Sequence, residues 1–259
     1  MKVPIRVMGM ATTFFWMFLI AFFVSAVYSV KDLHFNLGEP QMGLTADNNI
    51  VVSLPITITN DAFYNIGSFS MATEISEKDG FVIANATTFI PIIEKSETVT
   101  AARNMTVNFT SLLENNSNFL FNDTELQIYV VVGMKVAEII PVQASTNLSV
   151  PWGAPLYNFM IGEPEYSHFN LTHFLVILPI SFENHAFFDV VGNIQVQMYN
   201  NADVLVGFGQ TAIDAPQHTL YNGFVEFYIR VDGVTPTGFF EVNVYTPTFS
   251  CESLRFPYG

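Results

Sequence analysis

Val52-Ser53-Leu54-Pro55-Ile56-Thr57-Ile58-Thr59-Asn60-Asp61-Ala62-Phe63-Tyr64 returns later in the chain as Val176-Ile177-Leu178-Pro179-Ile180-Ser181-Phe182-Glu183-Asn184-His185-Ala186-Phe187-Phe188. Within each copy the pattern has period two. Val52, Leu54, Ile56 and Ile58 alternate with Ser53, Pro55, Thr57 and Thr59, and Val176, Leu178, Ile180 and Phe182 repeat the set. Alternation sends one set to a core and the other to the opposite face, which is the signature of a half-buried strand. Pro55 and Pro179 lack the N–H that a ladder needs, so this strand is expected at a sheet edge or bulged there.

Working outward, a second match keeps the same offset of 124 residues. Phe35-Asn36-Leu37-Gly38-Glu39-Pro40 pairs with Phe159-Met160-Ile161-Gly162-Glu163-Pro164. A third closes each copy, Leu148-Ser149-Val150-Pro151-Trp152-Gly153 against Leu254-Arg255-Phe256-Pro257-Tyr258-Gly259, at an offset of 106. The second copy is therefore 18 residues shorter, and the chain is expected to end where the module ends. The extra residues are expected in Thr110–Asp123, where Leu112, Leu113, Phe119 and Phe121 suit one side of a short helix.

Other strands follow the same reading: Phe69, Met71, Thr73 and Ile75 with Ile194, Val196 and Met198 as the counterpart, then Phe81–Ala84, Thr98–Val107, Gln127–Val132, Val204–Phe208, Phe224–Val231 and Phe239–Tyr245. In Phe224–Val231 the expected inward set is Val225, Phe227, Ile229 and Val231. Glu77-Lys78-Asp79-Gly80 and Asn200-Asn201-Ala202-Asp203 have the composition of tight hairpin turns. Short strands punctuated by turns in units of about 100 residues predict a mainly β chain. The expected architecture is two tandem immunoglobulin- or fibronectin-III-like β-sandwiches behind one transmembrane helix. The predicted divisions are an anchor at 1–30, a first sandwich at 31–153, a linker at 154–158 and a second sandwich at 159–259. A linker this short, containing Pro155, predicts a semi-rigid rod.

The anchor is read from Val7–Val30, which carries no charge. At about 1.5 Å per residue that stretch spans roughly the hydrocarbon thickness of a bilayer. The expected lipid contact is residues 7–30. Lys2 and Arg6 precede it and no acidic residue appears before Asp32. Retained positive charge predicts a cytoplasmic N-terminus in the cell membrane, with residues 31–259 extracellular. The rival reading is a cleaved signal peptide, with small residues at Val24-Ser25-Ala26 or Val27-Tyr28-Ser29. The apolar run is longer than a usual signal core.

Residues 31–259 hold 7 Lys+Arg and 23 Asp+Glu, a formal charge of −16. Such a field repels phosphate backbones, so no nucleic-acid partner is expected. Cys251 is the single cysteine. No intrachain disulfide can form, and Cys251 reads as a small apolar core residue.

Seven N-x-[ST] sequons occur, at Asn85, Asn104, Asn108, Asn115, Asn122, Asn147 and Asn170. With 21 Asn in the chain, chance supplies roughly three. In an exported chain the excess points to N-glycosylation, concentrated in the first module. The other reading is that Asn- and Thr-rich strand faces generate such triplets freely.

Catalytic and metal motifs are sparse. His34, His168, His173, His185 and His218 show no HxH or HExxH spacing. His168 and His173 could approach across a turn, with nothing nearby to complete a ligand set. His185 aligns with Asp61, a polar turn position, and is expected at the surface. There is no GxSxG, Walker loop or GxGxxG, so no enzymatic activity, metal or cofactor is predicted. The repeated Gly-Glu-Pro is expected to serve a turn or strand entry rather than acid-base work. Phe63-Tyr64 and Phe187-Phe188 are expected to cap a sandwich end, with a binding surface as the alternative.

The order of parts resembles a known family. A strand ends in Asn (Ile56-Thr57-Ile58-Thr59-Asn60) and a short apolar segment leads into the next, Phe63–Ile75. A hairpin follows with Gly80-Phe81-Val82-Ile83-Ala84, then a Leu-Leu segment, then a proline-containing closing strand. This resembles the LEA-type-2 domain, also called the water-stress and hypersensitive-response (WHy) domain. The resemblance implies an immunoglobulin-like sandwich with a short helix, and stress-associated, lipid-associated or structural roles without catalytic residues. Asn60-Asp61 and Asn184-His185 stand where that family typically has Asn-Pro. The layout of one anchor and two such modules looks like archaeal membrane proteins of this type. The expected role is a binding or scaffolding element at the cell surface, meeting an unidentified protein or lipid partner. Hydrophobic-ligand handling, or a subunit of a surface filament or layer, is the alternative.

Overall fold

The repeated segments form matching strands in a computed structural model, which describes residues 5–78, 80–109, 112–113 and 116–259, with side chains from residue 10 onward. The sequon at Asn115 and the turn residue Asp79 lie outside the described residues.

Helix α1 covers Ile5–Ser29. Its large apolar side chains point outward all around, with Phe14, Phe15, Met17 and Phe18 all more than half exposed. A helix apolar on every side belongs in a core or in lipid. The stretch Met10–Asp32 is long and apolar enough to cross a membrane, and little of it is buried against the rest of the chain. A 3-10 turn at Val30–Asp32 leads from α1 straight into the first strand.

The first repeat contains β1 (Leu33–Leu37), β2 (Gln41–Leu44), β3 (Ile50–Asn60), β4 (Ile66–Ser76), β5 (Val82–Ile93), β6 (Thr98–Val107), helix α2 (Asn118–Phe121), β7 (Thr124–Val136) and β8 (Ile140–Trp152). The second contains β9 (Tyr157–Ile161), β10 (Glu165–His168), β11 (His173–Asn184), β12 (Val190–Asn200), β13 (Leu205–Ala215), β14 (Thr219–Arg230), β15 (Gly238–Tyr245) and β16 (Ser250–Tyr258). In the first repeat β3 pairs β1, β2 and β6, and the other sheet runs β5-β4-β7-β8. In the second, β11 pairs β9, β10 and β14, and the other sheet runs β13-β12-β15-β16. Every strand has its counterpart eight places on. With the first strand split in two, each copy is a sandwich of an A-B-E sheet and a C′-C-F-G sheet, as in fibronectin-III-like domains.

The period-two pattern does what it predicts. Ile50, Val52, Leu54, Ile56 and Ile58 are each at most 1% exposed, and Val176, Leu178, Ile180 and Phe182 at most 2%. Each such side chain contributes about 1.5–3 kcal/mol by leaving water. Val231 departs from its expected inward set. It is 42% exposed, because β14 ends at Arg230 and the chain turns away.

The repeated proline is not at a sheet edge. β11 pairs β14 along its whole length, with Pro179 opposite Phe224. On its other side the neighbouring strand is the one that breaks, between β9 and β10, where Gly162 donates to the Pro179 carbonyl at 2.9 Å. The missing N–H therefore faces the interruption. Gly38 donates to the Pro55 carbonyl in the same way, at 2.9 Å. A Cβ on Gly38 would come within 2.6 Å of the Pro55 ring, and one on Gly162 within 3.0 Å of Pro179. The repeated Gly-Glu-Pro is thus the complement of the repeated proline, lying in the strand break that leads directly into β2 and β10.

The repeated asparagine ends the same strand. Asn60 and Asn184 are fully buried. The Asn184 amide N–H groups are shared among the carbonyls of Phe188 (2.9 Å), Ala215 (2.9 Å) and Pro216 (3.2 Å). Asn60 serves Tyr64, Ile93 and Glu94 in the same way, at 3.1, 3.2 and 3.0 Å. Their side-chain oxygens accept from Ala186 and Ala62. This one residue shapes the loop after β3 or β11 and ties it to the turn after β5 or β13.

The chain forms two compact units. One is Met1–Gln41, Ser53–Met105 and Gln127–Leu148, and the other is Met42–Val52, Thr106–Leu126 and Ser149–Gly259. The second unit therefore takes in pieces of the first repeat. The length difference between repeats also lies only partly where expected. The connection before β7 has 16 residues against 7 before β15, and β7 and β8 are longer than β15 and β16.

Candidate functional site

The second sandwich is closed along one side and open along the other. On the closed side β13 lies directly on β14. A Cβ on Gly207 would come within 2.5 Å of Ile229, and one on Gly209 within 2.7 Å of Val225. Along the other side the strand break after β9 faces β16, the last strand of the opposite sheet. Between them is a groove of about 810 Å³ whose lining includes Ile161, Tyr166, Phe174, Phe240, Phe256 and Tyr258. Burial raises the pKa of Tyr166, and the neighbouring Tyr258 adds to the rise. Burial also raises Tyr258, against the hydrogen bond with Thr235. Both hydroxyls stay protonated at neutral pH and can act only as hydrogen-bonding groups. Tyr258 already donates to the Tyr199 carbonyl at 2.9 Å.

At the start of β11 a tight loop projects apolar side chains. The Asn170 side-chain oxygen accepts from the N–H groups of Thr172 and His173 and from the Thr172 hydroxyl, each at 2.9 Å. This folds the loop so that Leu171 is fully exposed and Phe169 is 59% exposed. Phe169 rests on Tyr228, with centroids 4.6 Å apart. A wholly exposed leucine beside exposed aromatics is the kind of surface that marks interaction sites. The sequence carries a faint signal for it, Phe-Asn-Leu-Thr in a turn where polar residues are the rule.

At the far end of β11 a charged cluster forms around His185, the histidine expected at the surface. His185 is half-buried and stacks on Tyr157, centroids 4.3 Å apart. Its Nδ1 lies 2.8 Å from Asp123 Oδ2 and its Nε2 3.1 Å from Glu183 Oε2. Burial opposes a charge on the ring, but the bonds to Asp123 and Glu183 and their negative charges outweigh it and raise the pKa above 6.5. Asp123 also accepts from the Ala154 N–H at 2.9 Å, and the Ala154 carbonyl accepts from the His185 N–H at 3.0 Å. A catalytic histidine needs one nitrogen turned to a nucleophile. Here both nitrogens are engaged by carboxylates, so the cluster is a structural clasp.

The other candidates stay apart. His168 packs edge-on against Phe174, while His173 Nδ1 lies 2.9 Å from the Thr172 hydroxyl. Among the described residues no group of three or more His, Cys, Asp or Glu could hold a metal ion. Cys251 is half-buried, and burial together with Glu252 pushes its thiol up to about 11, which leaves little thiolate to react. Asn85, Asn104, Asn108, Asn122, Asn147 and Asn170 are all exposed.

The aromatic pairs after the repeated asparagine have different settings. Phe188 is 4% exposed and meets Phe109 edge-on, while Phe187 meets Trp152. Tyr64 meets Phe22 of α1, with centroids 5.6 Å apart, and Phe63 is left 54% exposed.

No protein-family model matches the chain, and no curated protein matches it. Among solved structures, red sea bream transglutaminase is similar over 81% of this chain and 29% of its own, at 10% identity and a TM-score of 0.30. The exo-chitosanase CsxA of Amycolatopsis orientalis is similar over 84% of this chain and 26% of its own, at 9% identity and a TM-score of 0.27. The chain spans less than a third of the length of either, and neither likeness is close enough to transfer an activity.

Proposed function

We propose that the chain is a membrane-anchored, non-enzymatic pair of β-sandwiches, held on the exported side and serving as a binding or scaffolding element at the cell surface. The observation that carries this reading is the join between α1 and the first sandwich. Ser29 Oγ accepts from the Phe63 N–H at 2.7 Å, and the Tyr64 hydroxyl lies 2.7 Å from Ser25 Oγ. Ser25 donates onward to the Phe22 carbonyl at 2.8 Å, so Tyr64 is the donor to Ser25. A lipid-compatible helix clamped in this way holds its module at the bilayer without a loose tether. The acidic exterior keeps the module soluble, and the Leu171–Phe169 tip offers a contact point. The LEA-type-2-like assignment belongs to the same proposal.

Two measurements test it. Protease added to intact cells should digest residues 31–259 and spare α1; full protection overturns the orientation. A photo-crosslinking residue at Leu171 should capture one defined partner that the same residue at Asp203 does not. Equal capture at both positions overturns the tip as the contact.

The groove between β9–β10 and β16 favours a second reading, in which this site holds an apolar ligand such as a single acyl chain. Its lining and its size, at the upper part of the small-molecule range, support that reading. Native mass spectrometry of the protein released from membranes should then show a bound lipid, lost in Phe174→Asp.

A further inference from the structure

The two repeats protect their free sheet edges differently. Among the described residues β5, β6 and β8 each pair with a strand on one side only, and so do their counterparts β13, β14 and β16. An open edge is a template for pairing with another chain, and proteins blunt it with charges, prolines, bulges or cover. The second repeat uses these devices. β13 carries Asp214 and lies on β14, which carries Glu226 and Arg230. β16 has Glu252, Arg255 and Pro257, with Ser253 at positive φ where the register slips.

The first repeat has prolines, Pro91 on β5 and Pro141 and Pro151 on β8, but almost no charge. Neither β5 (Val-Ile-Ala-Asn-Ala-Thr-Thr-Phe-Ile-Pro-Ile-Ile) nor β8 (Ile-Pro-Val-Gln-Ala-Ser-Thr-Asn-Leu-Ser-Val-Pro-Trp) contains a charge, and β6 has Arg103 alone. On β5, Phe89 is 62% and Ile92 49% exposed. Uncharged, apolar edge segments are aggregation hazards. Yet each of these three strands carries one sequon, Asn85 on β5, Asn104 on β6 and Asn147 on β8, and their counterparts carry none. Strand alternation puts each asparagine on the same face as its hydroxyl partner, Thr87, Thr106 and Ser149, and all six residues are exposed.

We propose that Asn85, Asn104 and Asn147 are N-glycosylated and that the sugars stand in for the missing charges, keeping the first repeat's edges from pairing between chains. The donor is a lipid-linked glycosyl phosphate. The asparagine side-chain nitrogen attacks the anomeric carbon, a C–N bond forms, the anomeric C–O bond breaks, and the lipid phosphate leaves with that electron pair. The amide proton passes to a base of the membrane transferase. The proposal rests on residues 31–259 being exported.

The test uses the full chain, extracted from membranes of a host that performs N-glycosylation. Accessibility of residues 31–259 to external protease is measured first. Glycopeptide mass spectrometry should then find sugar on all three asparagines. Unmodified asparagines in an accessible chain overturn the proposal alone, whereas an inaccessible chain overturns the export reading and this proposal with it. Thr87→Ala, Thr106→Ala and Ser149→Ala together keep every asparagine but destroy the three sequons. At equal concentration this variant should sediment as larger species than the parent, and Asn122→Gln should not. Asn85→Lys, Asn104→Lys and Asn147→Lys together should return it to the parent's size without sugar. A sequon-less variant that stays the parent's size, or a lysine variant that still assembles, overturns the edge-guarding role.

Discussion

At the scale of single residues, the buried amide of Asn184 gathers three carbonyls and one N–H. Removing it strands three carbonyls and one N–H in an apolar surround, where an unpaired polar group costs about 1–3 kcal/mol. Asn184→Ala should therefore lower unfolding stability by about 3 kcal/mol, read as a drop in the urea midpoint at unchanged slope. Asn60→Ala should act in the same direction, since Asn60 repeats the geometry. The repetition of this asparagine is plain in the sequence, but its job is not, because the carbonyls it holds lie up to 34 residues away. The clasp around His185 is hidden for a similar reason. Its two carboxylates come from Glu183, two residues back, and from Asp123, 62 residues back. Its raised pKa has a definite sign. The stabilisation it contributes is fully present below the unfolded value of about 6.5 and is lost as pH rises through the higher folded value. The thermal midpoint of the parent should thus fall, relative to that of His185→Gln, as pH is raised across that window. Parallel curves for the two proteins would dismiss the clasp.

At the scale of elements, the glycine–proline pairing across β1 and β3 makes a prediction that burial alone does not. Gly38→Ala puts a methyl against the Pro55 ring and should destabilise the first sandwich by about 1–3 kcal/mol, the usual cost of overpacking. Pro55→Ala in the same chain should recover most of the loss, and a double-mutant cycle should show the coupling. Gly162→Ala should cost less, because its nearest contact to Pro179 is longer by 0.4 Å (3.0 against 2.6 Å). Strands whose side chains alternate between core and solvent, such as β3, β4, β11 and β12, were legible in the sequence. The edge strands β1, β2, β9 and β10 were not. They have four or five residues, and β10 is exposed throughout, so neither length nor alternation marks them. Their partner rather than their own composition makes them strands. The groove was equally hidden, because it exists only where the break after β9 and the edge of β16 face one another across two sheets. The phenylalanines were countable in advance, but which of them would line an opening was not.

At the scale of the whole molecule, the repeats visible in the sequence and the compact units of the fold are not the same objects. The repeat boundary suggests cutting at residue 154, yet the unit containing the second repeat also holds Phe109, Phe119 and Trp152. Trp152 is 1% exposed, and its indole N–H donates to the Phe119 carbonyl at 2.9 Å. Phe109 touches the rings of Trp152, Phe188 and Phe249. A fragment of residues 154–259 keeps every strand of the second sandwich but loses this cover. Phe188 would go from 4% exposed to open, and Phe187 and Phe249 would lose ring partners. Exposing an aromatic of this size forfeits about 1.5–3 kcal/mol. The Asp123 side of the histidine clasp goes with it. Contiguous apolar surface of this kind drives association. The fragment should therefore bind a hydrophobic dye and self-associate, and Phe187→Ser with Phe188→Ser should restore a monomer without raising its stability. A fragment 154–259 that is monomeric, dye-silent and as resistant to urea as the same segment in the full chain would show that the sequence boundary, and not the packed unit, is where the molecule divides.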